Sequence, residues 1–297
     1  MAKATQATGR QSGRVKLKDL RKDLEAKGVR FMLSSYADIH GVPKAKMVPI
    51  DHLDQMMAGS ELFTGAALDG VPQDVSEEEV SAHPDPASCK ILPWKPDVAW
   101  FASNLWTRGK PFEACSRTIL GRIMAQAAAK GFEPMMGMEA EFFVLKDRPG
   151  GGFEPVSTRT RLDKSAYDAA RLLDNMDWMG ELVAMMNGFG WDVYSFDHED
   201  GIGQFEVDFT YFNMTAMADN YVFFRMMAHE IARKHGYCAS FMPKPYPDRA
   251  GSGSHFNISF ADAKSGRNLF HDPADKRGCK LSRLGYQFIA GVLRHMP

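Results

Sequence analysis

The sequence predicts an α+β protein in two parts, a small amino-terminal domain followed by a larger one built on an antiparallel sheet. Three observations carry this reading. Strand-like segments with period-two alternation recur at Met135–Leu145, Gly203–Phe209 and His255–Phe260. Longer segments of helical period precede and separate them, at 116–129, 166–189 and 217–235. The third is a break in character near residue 110, and 297 residues suffice for two domains of about 150 each.

Taken in order, residues 1–15 are basic and polar with no apolar run, and read as a loose tail. Residues 16–110 form the first domain. A helix is expected over Leu17–Lys27, closed by Gly28, then a strand over Val29–Tyr36, a DIHG turn at Asp38–Gly41 and a short strand near Ala45–Pro49. The stretch 69–97 is rich in proline and acid and reads as a long loop. Residues 111–297 form the second domain. Ser116 is expected to cap a helix running to Ala129 and stopped by Gly131. A strand over Met135–Leu145, a Gly/Pro break at Arg148–Gly152, one long helix over Ala166–Phe189 and a strand over Trp191–Phe196 follow. Strands Gly203–Phe209 and His255–Phe260 flank a helix over Met217–His235, and a last helix starts near Leu281.

Composition narrows the function. Lys plus Arg total 36 and Asp plus Glu 37, so no global basic field recruits nucleic acid or a membrane surface. No run approaches the roughly 18 apolar residues of a membrane-spanning helix. The four cysteines lie far apart, with no CxxC pair, as expected of reduced thiols in a cytoplasmic protein. No GxxxxGK[ST] loop occurs. The run Ala250–Ser254 (AGSGS) leads into a strand rather than a helix, so its glycines mark either backbone passing close to a ligand or a plain turn. His198 lies in the acidic run DHED, which reads as a solvated loop rather than part of a nucleophile–base pair.

Alternation along the three strands separates their faces. Phe205, Val207 and Phe209 share one side, and Gln204, Glu206 and Asp208 the other. Phe256, Ile258 and Phe260 oppose His255, Asn257 and Ser259, and Glu139 and Glu141 share a face. Such faces ordinarily look into water. Yet these hold acid, amide and imidazole with no cation, and like charges gathered together repel unless a metal sits among them. Glutamates with one histidine suit Mg²⁺ or Mn²⁺.

The motifs Glu139-Ala-Glu141, His198-Glu199 through Gly203-Gln204-Phe205-Glu206, and Pro243-Lys244-Pro245 through Gly251-Ser-Gly253-Ser-His255 resemble, in order and separation, those of the glutamine synthetase superfamily. DIHGVPKAKMVP near the amino end and NLF…GYQFIAGVLRHMP near the carboxyl end extend the likeness over nearly the whole chain. The resemblance implies a β-grasp-like first domain, and a catalytic domain whose antiparallel sheet lines the active site. It implies Glu141, Glu199 and Glu206 as ligands of one metal, with Glu139 and His255 as two ligands of a second that holds the ATP phosphates. Gly251 matches the glutamate-binding loop, and Tyr211 and Ser259 match positions near the nucleotide. The implied reaction phosphorylates the γ-carboxylate of glutamate with ATP, and an amine then displaces phosphate. Stacked rings, a dodecamer, with sites shared between neighbours are also implied. A non-catalytic scaffold and a γ-glutamyl amide hydrolase are the other readings such a site allows.

Two departures bear on the substrate. Thr64, in Leu62-Phe63-Thr64-Gly65, stands where the family's F-D-G loop has the aspartate that helps deprotonate ammonium, and Asp69 is a nearby acid. This region, with DHED-x-x-GQFE and SFMPKP, resembles γ-glutamylmethylamide synthetases and type III glutamine synthetases most. The sequence also stops before the family's late arginines and final metal-ligand glutamate, so the resemblance implies a site lacking its carboxyl-terminal part.

Overall fold

The computed structural model describes residues 16–156 and 164–296; the 1–15 segment lies outside them. Helix α1 (Leu17–Ala26) ends where Gly28 takes φ +80°. Strands β1 (Phe31–Ala37) and β2 (Pro43–Pro49) form an antiparallel hairpin. In their turn the Asp38 carboxylate accepts the amides of His40 and Val42, each at 2.9 Å. Helix α2 (Leu53–Met57) and β3 (Glu61–Phe63) follow.

The expected loop at 69–97 is a correction. It contains β4 (Val80–Pro84), β5 (Lys90–Leu92) and the first residues of β6 (Lys95–Thr107), which pairs with the short β7 (Lys110–Pro111). The prolines bound strands instead of excluding them: Pro84 ends β4 and Pro86 opens a 3₁₀ turn. Strand β6 escapes an alternation search because it is covered on both sides. Its Val98, Trp100 and Ala102 enter the large core, while Ala99 and Phe101 pack with Leu24, Met32 and Leu53 beneath α1 and α2. The sheet runs β2-β1-β6-β4-β3, with β1 and β6 parallel.

Beyond it come α3 (Ser116–Ala129), β8 (Phe132–Asp147) and β9 (Phe153–Pro155). Ser116 does not cap α3; its hydroxyl lies 3.4 Å from the Ala37 carbonyl, and Cys115 takes the cap position without a side-chain bond. The single helix expected at 166–189 is two, α4 (Ala169–Leu173) and α5 (Met176–Gly188). Asn175 divides them. Its amide donates to the Arg171 carbonyl at 2.7 Å and accepts the Trp178 indole N–H at 2.9 Å, so its side chain competes with helix continuation.

Next come β10 (Val193–His198), β11 (Gln204–Phe209), β12 (Phe212–Asn213), α6 (Met214–Lys234), β13 (Cys238–Ser240), β14 (Ser254–Asp262) and α7 (Arg283–His295). Strand β10 starts two residues later than expected because Asp192 takes φ +50°, which no extended strand holds. Strand β8 is the axis of the second sheet. It pairs antiparallel with β9, β11, β12, β13 and β14, and β10 flanks β11. Its inner face carries Ala140 and Phe142, which pack with Phe205 and Val207 against Trp178 and Leu182 of α5 and Phe224 of α6. The expected apolar face of β14 is only partly covered: Phe260 meets Phe270 and Phe288, but Phe256 is 58% exposed.

All four cysteines are free thiols. Among the described residues, no helix is long and apolar enough to cross a membrane.

Arg117 ties the two sheets together. Its Nε and Nη2 donate to Asp219 of α6 at 3.0 and 2.9 Å, Nη2 also donates to Asp85 at 2.8 Å, and Nη1 to Asn104 of β6 at 3.0 Å. Arg117→Met strands two partly buried carboxylates, and is expected to cost about 3–5 kcal/mol of unfolding free energy, read by urea denaturation.

Candidate active site

Register, more than any single contact, assembles the polar site. Across the sheet Asp197 lies opposite Glu206 and Glu206 opposite Glu141, forming one row. Asp208 lies opposite Glu139 and Glu139 opposite His255, forming a second row one step along the strands. Directly opposed residues have Cβ atoms about 4.5–5.5 Å apart, so the five acids of these two rows crowd one face. Period-two alternation puts the same strands' Ala140, Phe142, Phe205 and Val207 in the core.

Glu199, just past β10, completes the first group. Its backbone amide donates to the Gln204 carbonyl at 2.9 Å, and Glu141, Glu199 and Glu206 each offer a carboxylate oxygen within 4.8 Å of the other two. His255 joins them through Nε2, 3.4 Å from Glu141 Oε1. Glu139 stands apart from that cluster, in the second row, where its Oε1 accepts the Asn257 amide at 2.6 Å.

The electrostatics follow from this crowding. Burial first, then the neighbouring charges of Asp208, Glu199 and Glu141, push Glu206 up to about 8. Burial also raises Asp208, with Glu139 adding to it, and raises Asp197 and Glu199, with Glu141 adding to both. Two acids have an inward oxygen without a partner among the described residues, Asp197 and Asp208. A group of carboxylates held this way takes up either protons or a divalent cation, and oxygen donors with one imidazole fit Mg²⁺ or Mn²⁺.

The glycine run now has a physical reason. The Gly253 amide donates to Glu141 Oε2 at 2.8 Å, and a Cβ there would stand 2.7 Å from Glu141 Oε1 and 2.8 Å from His255 Nε2. A Cβ on Gly251 would meet the Pro243 carbonyl at 2.7 Å. The backbone therefore passes against the carboxylate itself.

Several residues of the site were placed by the sequence without the bonds that give them their role. Gln204, 1% exposed, donates from Nε2 to Glu141 Oε2 at 2.8 Å and to the Gly251 carbonyl at 3.0 Å, so one amide fixes both the carboxylate and the glycine loop. His198 is fully buried, which corrects the solvated reading. Its Nε2 accepts the Gly203 amide at 3.2 Å, so the proton sits on Nδ1 and donates to the Glu199 carbonyl at 2.8 Å. Burial holds this imidazole below its ordinary pKa, and its role is to shape the turn that presents Glu199. Tyr167, at φ +63°, donates its backbone amide to the His198 carbonyl at 2.7 Å, and the charges of Glu199 and Asp197 hold its phenol above the usual range.

A cleft of about 550 Å³ opens beside the second row, lined by Glu139, Tyr194, Tyr211, Asn257 and Ser259. A second, of about 530 Å³, continues from it toward the turn at 262–268. Tyr211 and Ser259 line both. Thr64 lies elsewhere, in an exposed loop, where its hydroxyl donates to Glu79 Oε1 at 2.7 Å.

Comparison with known proteins gives the family of the chain. Residues 113–297 match the family described as glutamine synthetase, catalytic domain. The chain is 36% identical over 275 residues to a glutamate–methylamine ligase of Methyloversatilis universalis, covering 92% of this chain and 62% of that protein. It is 35% identical over 279 residues to a glutamine synthetase of Rhizobium meliloti, covering 93% and 62%. The solved GmaS–ADP complex superposes with a TM-score of 0.87 at 34% identity, over 93% of this chain and 63% of that one. The chain thus spans a little under two thirds of the length of these relatives. On the matched catalytic domain, the identities and the shared fold, the chain belongs to the glutamine synthetase family.

Proposed function

We propose that this protein is an ATP-dependent ligase that joins the γ-carboxylate of glutamate to an amine through a γ-glutamyl phosphate, with methylamine as the amine. The observation that carries the reading is the group Glu141, Glu199 and Glu206, with carboxylate oxygens within 4.8 Å of one another beneath the glycine loop. In this reading those three hold one Mg²⁺ or Mn²⁺, and Glu139 with His255 contributes to a second. Divalent cations bound there would supply charge neutralisation for phosphoryl transfer. The chain's own groups do the rest. Gln204 fixes Glu141, the backbone at Gly251 faces glutamate, and Tyr211 and Ser259 line the cleft that takes the nucleotide.

The division near residue 110 is part of the proposal, as is assembly through the amino-terminal domain into stacked rings, a dodecamer. Ile39, Met47 and Val75 support it, being apolar and 71, 54 and 80% exposed on that part of the molecule. Light scattering is expected to report an oligomer; a stable monomer at micromolar concentration overturns this.

One contact favours a second reading, with ammonia as substrate. The Glu79 carboxylate on Thr64 supplies a negative charge where a threonine alone would not. An alkyl group gains about 0.8 kcal/mol per buried CH₂, and discrimination by one such group falls within about 10–200-fold. Methylamine is therefore expected to exceed ammonia in kcat/KM by roughly tenfold, and Thr64→Asp to shift the preference toward ammonia. Phosphate release with glutamate, ATP and a panel of amines measures both. A tenfold preference for ammonia in the wild type makes this protein a glutamine synthetase.

Metal binding should follow pH. Glu206 has a folded pKa raised above that of a free carboxyl, so its stabilising contribution is complete at low pH and is lost as pH rises toward about 8. Chelator-treated protein is expected to lose thermal stability between pH 5 and about 8, and Mn²⁺ to restore it. Mn²⁺ affinity should rise over the same interval, as the proton it replaces becomes easier to remove. Glu206→Gln should flatten both trends in thermal melts and titration calorimetry.

A further inference from the structure

Arg225, in the middle of α6, touches two loops that come from opposite ends of the sequence. Its Nη1 donates to the Gly41 carbonyl at 2.9 Å, in the turn between β1 and β2. Its guanidinium lies 5.1 Å from the centre of the Phe241 ring, at the start of the segment 241–253. That segment holds Gly251 and Gly253, which bond to Gln204 and Glu141. Residues one helical turn either side grip the same segment. The Tyr221 ring meets Phe241 edge-on, and His229 meets Phe241 at 5.5 Å between ring centres.

The turn at 38–42 is stiff and is packed on the Thr64 loop. Asp38 ties two of its amides and pairs with Lys44 at 3.4 Å. Ile39 lies against Gly70, where an added Cβ would come within 2.7 Å of it, and His40 Nε2 lies 3.4 Å from Asp69. Gly41 itself has φ +70°, and a Cβ there would stand 2.5 Å from Arg225 Nη1. The guanidinium thus closes over a position that only glycine fills without displacing it.

We infer that Arg225 is a positioning residue, joining the Asp38–Val42 turn and the Thr64–Gly70 loop beyond it to the 241–253 loop that frames the carboxylate cluster. It touches no group assigned above to metal, nucleotide or glutamate. Its planar cation presents one edge to a carbonyl and a face to an aromatic ring, which lysine does not reproduce. A loop held on both sides loses little further freedom when substrate arrives, and releasing one side returns that cost to binding.

This rests on the ligase reading for its kinetic part alone. Arg225→Met removes the latch from the helix side, and Gly41→Ala removes it from the turn side without altering α6. Amide hydrogen exchange of the intact protein is expected to quicken at 241–253 in both variants, including the Ser252 and Gly253 amides, while β8 stays protected. In glutamate-dependent phosphate release, both variants should raise KM for glutamate on the order of tenfold, the loss of one charge-assisted hydrogen bond. KM for ATP should change less than twofold, and Arg225→Lys should recover only part of the loss. If exchange at 241–253 is unchanged in both variants, or glutamate and ATP KM rise together, the inference fails. If the wild type forms no amide with any amine, the ligase reading fails and the exchange experiment still decides the latch.

Discussion

Five carboxylates held side by side repel one another, and the sheet can hold them only because its other face is the core. Strand β8 carries the cost on one side and its compensation on the other. Glu139 and Glu141 point toward the charged face, while Ala140 and Phe142 are fully buried under α5 and α6. Sliding β11 by one residue along β8 would exchange the two sets, putting Phe205 and Val207 in water and Glu206 in the core. The hydrophobic packing that fixes the register therefore also fixes which acids face one another. Glu206 shows the cost of this placement, being pushed up to about 8 by burial first and then by the charges of its neighbours.

This coupling explains what could be read from the amino-acid order. Alternation exposes both faces of a strand at once, so Glu139, Glu141, Glu206 and His255 could be grouped before any geometry was known. It also gave Gln204 and Asn257 their side of the sheet, though not their bonds to Glu141 and Glu139. What alternation cannot see is a strand covered on both sides. The apolar run Val98–Ala102 serves two cores at once and carries no period-two pattern, and so β6 went unread and the proline-rich segment before it looked like a loop. Asn175 hid a helix break for a related reason, because its two side-chain bonds are decided by folded neighbours and not by its place in the chain. His198 misled in the other direction. Its acidic surroundings suggest water, yet a single buried imidazole with a fixed tautomer shapes the Glu199 turn.

Two neutral side chains, Gln204 and His198, do much of the positioning among the charges. Each uses both of its polar ends: Gln204 accepts from Gly201 and donates to Glu141, and His198 accepts from Gly203 and donates to Glu199. A charged residue in either place would add to the repulsion or neutralise the cluster. A neutral one with a donor and an acceptor orients the carboxylates and leaves their charge available.

The pairing of β8 also dictates when the site can come into being. Its partners lie at very different distances along the chain: β9 follows at once, whereas Glu139 meets Asp208 some 70 residues later and His255 more than 110 residues later. Contacts of such long sequence separation form slowly, because the loop must be closed before the pairing stabilises it. During synthesis one long edge of β8 waits unpaired until Ser254–Asp262 has emerged, and an open strand edge is the part of a protein most prone to pairing with another chain. Glu133 and Glu139, the acids of the stretch that Ser254–Asp262 later covers, repel a second copy for as long as the wait lasts. Charge that crowds one face of the finished sheet thereby also works against aggregation of the nascent chain.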